Sequence, residues 1–196
     1  MGVVMTQSLL LEPTDTAQWL ELVREAEKEY GMTLPEDIES YLVFMLMRHT
    51  RHSSLEQVIM ALEYLRAADL AGAQRDDKLR DIGDQCLLLS GLYPKRAHRR
   101  NVRVSYYVDM GQAAYYYLSH SLQHASAELY QQLYEAFVSM MDILQTIRGF
   151  NTPALQPIQS LELWSDTGSQ AAWQRIVDEG DALPLHESLI DPDLRQ

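Results

Sequence analysis

Cysteine occurs once in the 196 residues, as Cys86, so an internal disulfide and a cysteine-rich zinc site are both excluded. It lies in the apolar run Cys86-Leu87-Leu88-Leu89 and is expected to act as a small buried hydrophobe. Long apolar runs are lacking as well. The longest uncharged one, Tyr41 to Met47, falls far short of the roughly 20 residues that span a bilayer. No basic stretch precedes an apolar segment near Met1, so a secretory signal is not expected and the cytoplasm is the expected location. Strand signals are sparse: only Val102 to Val108 has the β-branched and aromatic content of a strand, and a single strand has nothing to pair with. Gly-x-Ser-x-Gly, a Walker loop, a dinucleotide fingerprint and the Glu-x-x-His element of di-iron bundles are all missing.

What remains is helical periodicity, and the expected fold is all-α: a single bundle of about six main helices. Residues 1–150 form the bundle in this reading, and 151–196 a short, loosely packed C-terminal helical appendage on the same domain. Trp19, Leu20, Val23, Ala26 and Tyr30 recur at helical spacing, with Glu21, Arg24, Glu25, Glu27, Lys28 and Glu29 on a solvated outer face. Gly31 ends that helix. Thr33-Leu34-Pro35-Glu36 reads as a capping box opening a second helix, whose apolar content from Tyr41 to Met47 suits the centre of a bundle. Ser53-Ser54-Leu55-Glu56 is a second capping box, leading a third helix through Ile59, Leu62, Leu65 and Ala68 to about Ala71. A fourth, from Arg75 to Leu89, carries the stripe Leu79, Ile82, Cys86 and Leu89 and stops at Ser90-Gly91-Leu92-Tyr93-Pro94. Residues 104–148 are expected to break near Gln123 to Ser126, with Ser126 as the cap of the later helix. Two shorter helices are expected at Ile158 to Trp164 and Ser169 to Asp178.

Cations are scarce: 16 Lys and Arg stand against 28 Asp and Glu, for a net charge of −12. Such a chain repels a polyanion, which argues against general nucleic-acid binding. Those cations are nonetheless concentrated, since residues 75–103 hold 8 of the 16. Five of them, Lys95, Arg96, Arg99, Arg100 and Arg103, fall within nine positions and repel one another, so an anion is expected nearby. Tyr93 precedes this segment, and Tyr106 and Tyr107 follow on an aromatic helix. A cleft formed by these eight residues is the first candidate site. Its ligand class is a protein partner with an acidic surface or a small anionic ligand; a homo-oligomer stays open, and no cofactor is expected.

The rival reading is an enzyme of unknown reaction, metal-dependent or not. Asp81 and Asp84, three apart on the fourth helix, would supply its carboxylates unless they simply face solvent or pair with the basic segment. His49 and His52, with His120 and His124, would supply metal ligands, because histidines three or four apart share a helix face. Arg48 and Arg51 beside the first pair oppose a divalent ion, and the expected break near His124 separates the second. A third reading is a carrier for an apolar ligand in a Met- and Tyr-lined cavity.

The two runs Leu87-Leu88-Leu89-Ser90-Gly91-Leu92-Tyr93-Pro94 and Val104-Ser105-Tyr106-Tyr107-Val108-Asp109-Met110-Gly111-Gln112-Ala113-Ala114-Tyr115 resemble a pattern of an uncharacterised family of helical bacterial proteins. The resemblance implies a bacterial cytosolic protein and brings no reaction, cofactor or partner with it. The first functional reading is therefore a non-enzymatic interaction or regulatory protein that uses the basic turn and the Tyr-rich helix.

Overall fold

A computed structural model describes residues 15–51, 59–99, 102–149 and 155–179. Among these the chain forms ten α-helices and no strand. They are α1 (Asp15–Tyr30), α2 (Glu36–Arg51), α3 (Met60–Ala68), α4 (Gly72–Gly91), α5 (Pro94–Arg99), α6 (Val104–Ser121), α7 (His124–Glu135), α8 (Phe137–Gly149), α9 (Pro157–Thr167) and α10 (Gln170–Glu179). Val102 to Val108, the one strand-like stretch, enters α6. None of the described helices is long and apolar enough to cross a membrane.

The helix count exceeds six for local reasons. The basic segment, expected as a turn, folds in part into α5, with Pro94 at its first position, where a missing N–H leaves no bond unmade. The expected helix to Arg148 is two helices, α7 and α8, divided at Ala136, whose amide still bonds Gln132 O at 2.8 Å. The break before α7 lies earlier than Ser126. Gln123 is extended, His124 takes a positive φ of 54°, and no side chain caps the helix.

The central position belongs to α4, which packs against α3, α5, α6 and α8. Leu79, Ile82, Cys86, Leu87, Leu88 and Leu89 are buried along it, so burial surrounds the helix rather than following one stripe. Each fully buried Leu or Ile contributes about 1.5–3 kcal/mol. Expected at the centre, α2 instead packs on α1 and α7 and leaves Phe44 61 % exposed. It still sends Ile38, Leu42, Val43, Met45 and Leu46 into the core. In α3 the buried residues are Met60 and Ala67, while Ile59, Leu62 and Leu65 face outward. The Ser53–Glu56 capping box lies outside the described residues.

Helix entry into α2 also differs from the expected capping box. The helix opens at Glu36, and the Ile38 and Glu39 amides bond Pro35 O. The Leu34 amide donates to Glu27 Oε1 at 2.8 Å. Glu27 is consequently buried, not solvated as its place among charged neighbours suggests. At α9, by contrast, local chemistry suffices: Gln156 and Gln159 form a capping box, Pro157 follows the cap, and Gly168 closes the helix at φ 73°.

Three glycines let helices meet closely, Gly83 against the Tyr115 ring among them. A Cβ at Gly91 would lie 2.5 Å from Leu144 Cβ on α8, and one at Gly111 would overlap the Phe137 ring and lie 3.0 Å from Cys86 Cβ. Gly→Ala in an open helix stabilises by about 1 kcal/mol. Here the sign reverses: Gly91→Ala and Gly111→Ala are each expected to lose about 1–3 kcal/mol, because the neighbours are packed. Urea denaturation checks this, and a gain in stability at either position would contradict the close approach.

Candidate functional site

Helices α2 and α5 bring the C-terminal turn of one beside the basic segment of the other. His49 Nε2 lies 3.4 Å from the Tyr93 hydroxyl, with the rings edge to face and 5.9 Å between centroids. The Arg96 guanidinium sits over the Tyr93 ring, 4.7 Å from its centre, a cation–π arrangement. Lys95 and Arg96 are exposed, and neither has a carboxylate within ion-pair reach among the described residues. Desolvation, and then the charge of Arg96, hold the His49 imidazole below its usual 6.5. This is a cationic, aromatic face on the surface of the bundle.

The other cations of the segment fare differently. Arg103 is 3.4 Å from Asp166 on α9, a carboxylate that also accepts from Ser105 Oγ at 2.8 Å. That pair is mostly solvated and contributes little to stability. The side chain of Arg99 and all of Arg100 lie outside the described residues. Tyr107 is buried in the core, and Tyr106 is half-buried with its ring edge-on to Tyr107 at 5.2 Å. Tyr106 reaches toward the Ala61 backbone of α3. Of the eight residues expected to share the cleft, Tyr93 and Arg96 are in contact, His49 joins them from the metal hypothesis, and Lys95 is exposed beside Arg96 in sequence.

His120 and His124 do not share a helix face. His120 ends α6, with Nδ1 2.9 Å from Tyr116 O, whereas His124 begins α7 beyond the break. His52 lies outside the described residues. No group of three or more His, Cys, Asp or Glu side chains among the described residues is arranged to hold a metal ion.

Asp81 and Asp84 also part company. Asp81 is exposed, near Arg80 at 3.9 Å. Asp84 is buried among α2, α4 and α6, where its Oδ1 accepts from Tyr41 Oη at 2.6 Å and from Tyr115 Oη at 2.7 Å. Its Oδ2 pairs with Arg48 of α2. Tyr130 of α7 closes the aromatic wall, 5.8 Å from the Tyr115 ring. Burial raises the Asp84 carboxyl above its ordinary value, against the two tyrosine hydrogen bonds and the Arg48 charge. Both oxygens are thus occupied by the protein itself, as in a structural polar knot.

Another buried carboxylate, the least exposed of those described, goes unmarked at the level of sequence. Asp142 of α8, fully buried, accepts from Tyr30 Oη at 2.8 Å, Ser169 Oγ at 2.5 Å and the Ala171 amide at 3.3 Å. Its signal was available: a lone acid inside Met140-Met141-Asp142-Ile143-Leu144, where an unpaired charge is not tolerated. Cys86 is buried as expected, and burial pushes its thiol far above the ordinary range.

No family model, curated protein or solved structure matches the chain.

Proposed function

We propose that the protein is a non-enzymatic binding or regulatory protein that holds an acidic partner on the face formed by His49, Tyr93, Lys95 and Arg96. The observation that carries this reading is the pair of exposed cations without a carboxylate among the described residues, in a chain of net charge −12. A protein so rich in acid has ample means to neutralise its own cations, as Arg48, Arg66, Lys78 and Arg103 illustrate. Lys95 and Arg96 project outward from a six-residue helix, a placement that suits an extended acidic surface better than an enclosed small molecule. Tyr93 adds a flat, amphipathic contact already held by His49 and Arg96. The enzymatic alternative on Asp81, Asp84 and the histidines has weaker support, because Asp84 is occupied by Tyr41, Tyr115 and Arg48.

Calorimetric titration with a synthetic Glu-rich peptide tests the proposal. Binding is expected at low ionic strength and should weaken with salt, since exposed charges are screened beyond about 8 Å at physiological strength. Replacing Lys95 and Arg96 together by Ser should weaken it by up to about thirtyfold, two solvated contacts of up to about 1 kcal/mol each. Equal affinity in the double variant would refute the reading.

His49 supplies a pH signature. Its folded pKa lies below the unfolded 6.5, so the unfolded chain binds more protons in between. The stability from the neutral ring is complete above 6.5 and is lost as pH falls through the folded value. An acidic partner at Arg96 offsets the repulsion that holds His49 down. Binding should therefore raise the His49 pKa, take up protons, and tighten as pH falls below 6.5. The ring-proton resonances of His49, titrated with and without peptide, check this; an unmoved midpoint would place the peptide elsewhere.

A further inference from the structure

We propose that Arg148 and Arg175 form an oxyanion site at the junction of α8 and α10, taking a phosphate or carboxylate group. The Nε and Nη1 atoms of Arg148 are buried and have no hydrogen-bond partner. These two atoms carry three N–H donors on a permanently charged group. Leaving such donors unsatisfied away from water is among the costliest arrangements a fold can contain, and buried ions are ordinarily paired.

The neighbouring charge makes matters worse. Arg175 of α10 donates through Nη1 to Gln145 Oε1 at 2.7 Å, one turn before Arg148 on α8. Gln145 is itself fixed, donating to Ser90 O at 3.0 Å. Burial, and then the Arg175 charge, depress the Arg148 guanidinium to about 10. Residues 104–196 contain 12 acidic side chains and only three basic ones, Arg148, Arg175 and Arg195. Two of those three share this corner of the fold. Asp142, the buried acid of the same helix, does not serve as counter-ion to Arg148, for Tyr30, Ser169 and Ala171 engage its oxygens. An oxyanion would satisfy the idle donors and reverse the repulsion between the guanidinium groups; arginine suits phosphate and carboxylate oxygens alike. This site does not involve the α5 face and stands or falls separately from it.

The test is thermal unfolding and ³¹P line broadening of the full chain with inorganic phosphate, ionic strength being held constant with chloride. Phosphate is expected to raise the unfolding midpoint saturably, and Arg148→Met should abolish the response while Lys95→Ser/Arg96→Ser leaves it intact. Without phosphate, Arg148→Met should be no less stable than the parent, because it removes an unpaired buried cation. Arg148→Lys, which keeps the charge but not the donor geometry, should weaken phosphate about tenfold, the equivalent of one charge-assisted hydrogen bond. An equal phosphate response in parent and Arg148→Met, or no response in the parent, overturns the proposal.

Discussion

Asp84→Ala is expected to lower the unfolding free energy by about 3–5 kcal/mol, the largest effect of any single side-chain truncation at the charged positions. Arg48 contributes the smaller part, because its side chain is 45 % exposed and can turn to water. The larger part comes from Tyr115 and Tyr41, whose hydroxyls both donate to Asp84 Oδ1. Tyr115 is fully buried, and each orphaned donor costs about 1–3 kcal/mol. Asp84→Asn should lie in between: an amide oxygen can accept from both tyrosines, but the amide nitrogen then faces a guanidinium. Tyr115→Phe, which removes one donor and leaves the carboxylate its other partners, should cost about 1 kcal/mol. Guanidinium denaturation of the four proteins checks the order, and a loss below 1 kcal/mol for Asp84→Ala would contradict the knot.

The pH dependence follows from the same burial. The folded Asp84 carboxyl titrates above its ordinary 3.8, so between that value and the raised one the native state binds more protons than the unfolded. Stability attributable to Asp84 falls as pH rises through this window and is constant above it. Asp84→Asn removes that slope. Burial raises Asp142 in the same direction, so the parent should show two such contributions and the variant one.

Asp142→Ala should cost about 2–4 kcal/mol, and its effect should be local first. The carboxylate joins α8 to Tyr30 at the end of α1 and to Ser169 and Ala171 at the start of α10. Ser169 Oγ donates to Asp142 and accepts from the Ala172 amide at 3.0 Å, so it caps α10 while being held by α8. The acid also faces the positive end of the α10 dipole. Its removal unties α10 before it opens the core. Amide exchange in α9 and α10 should accelerate more than exchange in α4 and α6. Uniform acceleration across all helices would contradict a local tie.

The exposed apolar residues Ile158, Leu161, Trp164 and Val177 lie on these same two helices, with the Trp164 ring tilted against Trp173 at 4.7 Å between centroids. Ile158 is 60 % exposed. Loosening α10 in Asp142→Ala would therefore enlarge apolar exposure, which dye binding can follow alongside exchange.

The sequence carried the helices where termini are punctuated chemically. Gly31 and Gly149 mark ends that the structure keeps, whereas the helix expected at Ile158 to Trp164 extends to the Pro157 and Gly168 boundaries. It failed where neighbours decide. Ala136 carries no glycine, proline or capping side chain, and the division of α7 from α8 there is set by packing. Glu27 looked solvated because its neighbours are charged, yet the turn into α2 draws it to the Leu34 amide. Asp84 was visible as a candidate but not its partners, since Tyr41, Arg48 and Tyr115 are 43, 36 and 31 residues away in sequence. Likewise, the spacing of His49 from the basic segment concealed their meeting at Tyr93. Clustering of charge can be read from one dimension, whereas its neutralisation requires three.

Whether the His49, Tyr93, Lys95 and Arg96 face is where an acidic partner docks is tested most directly by amide and ring chemical-shift mapping. The full chain is titrated at low salt with the Glu-rich peptide. Shifts concentrated on the end of α2 and on residues 93–97 are the expected result. Shifts confined to Ile158–Trp164, or none at saturating peptide, would contradict it.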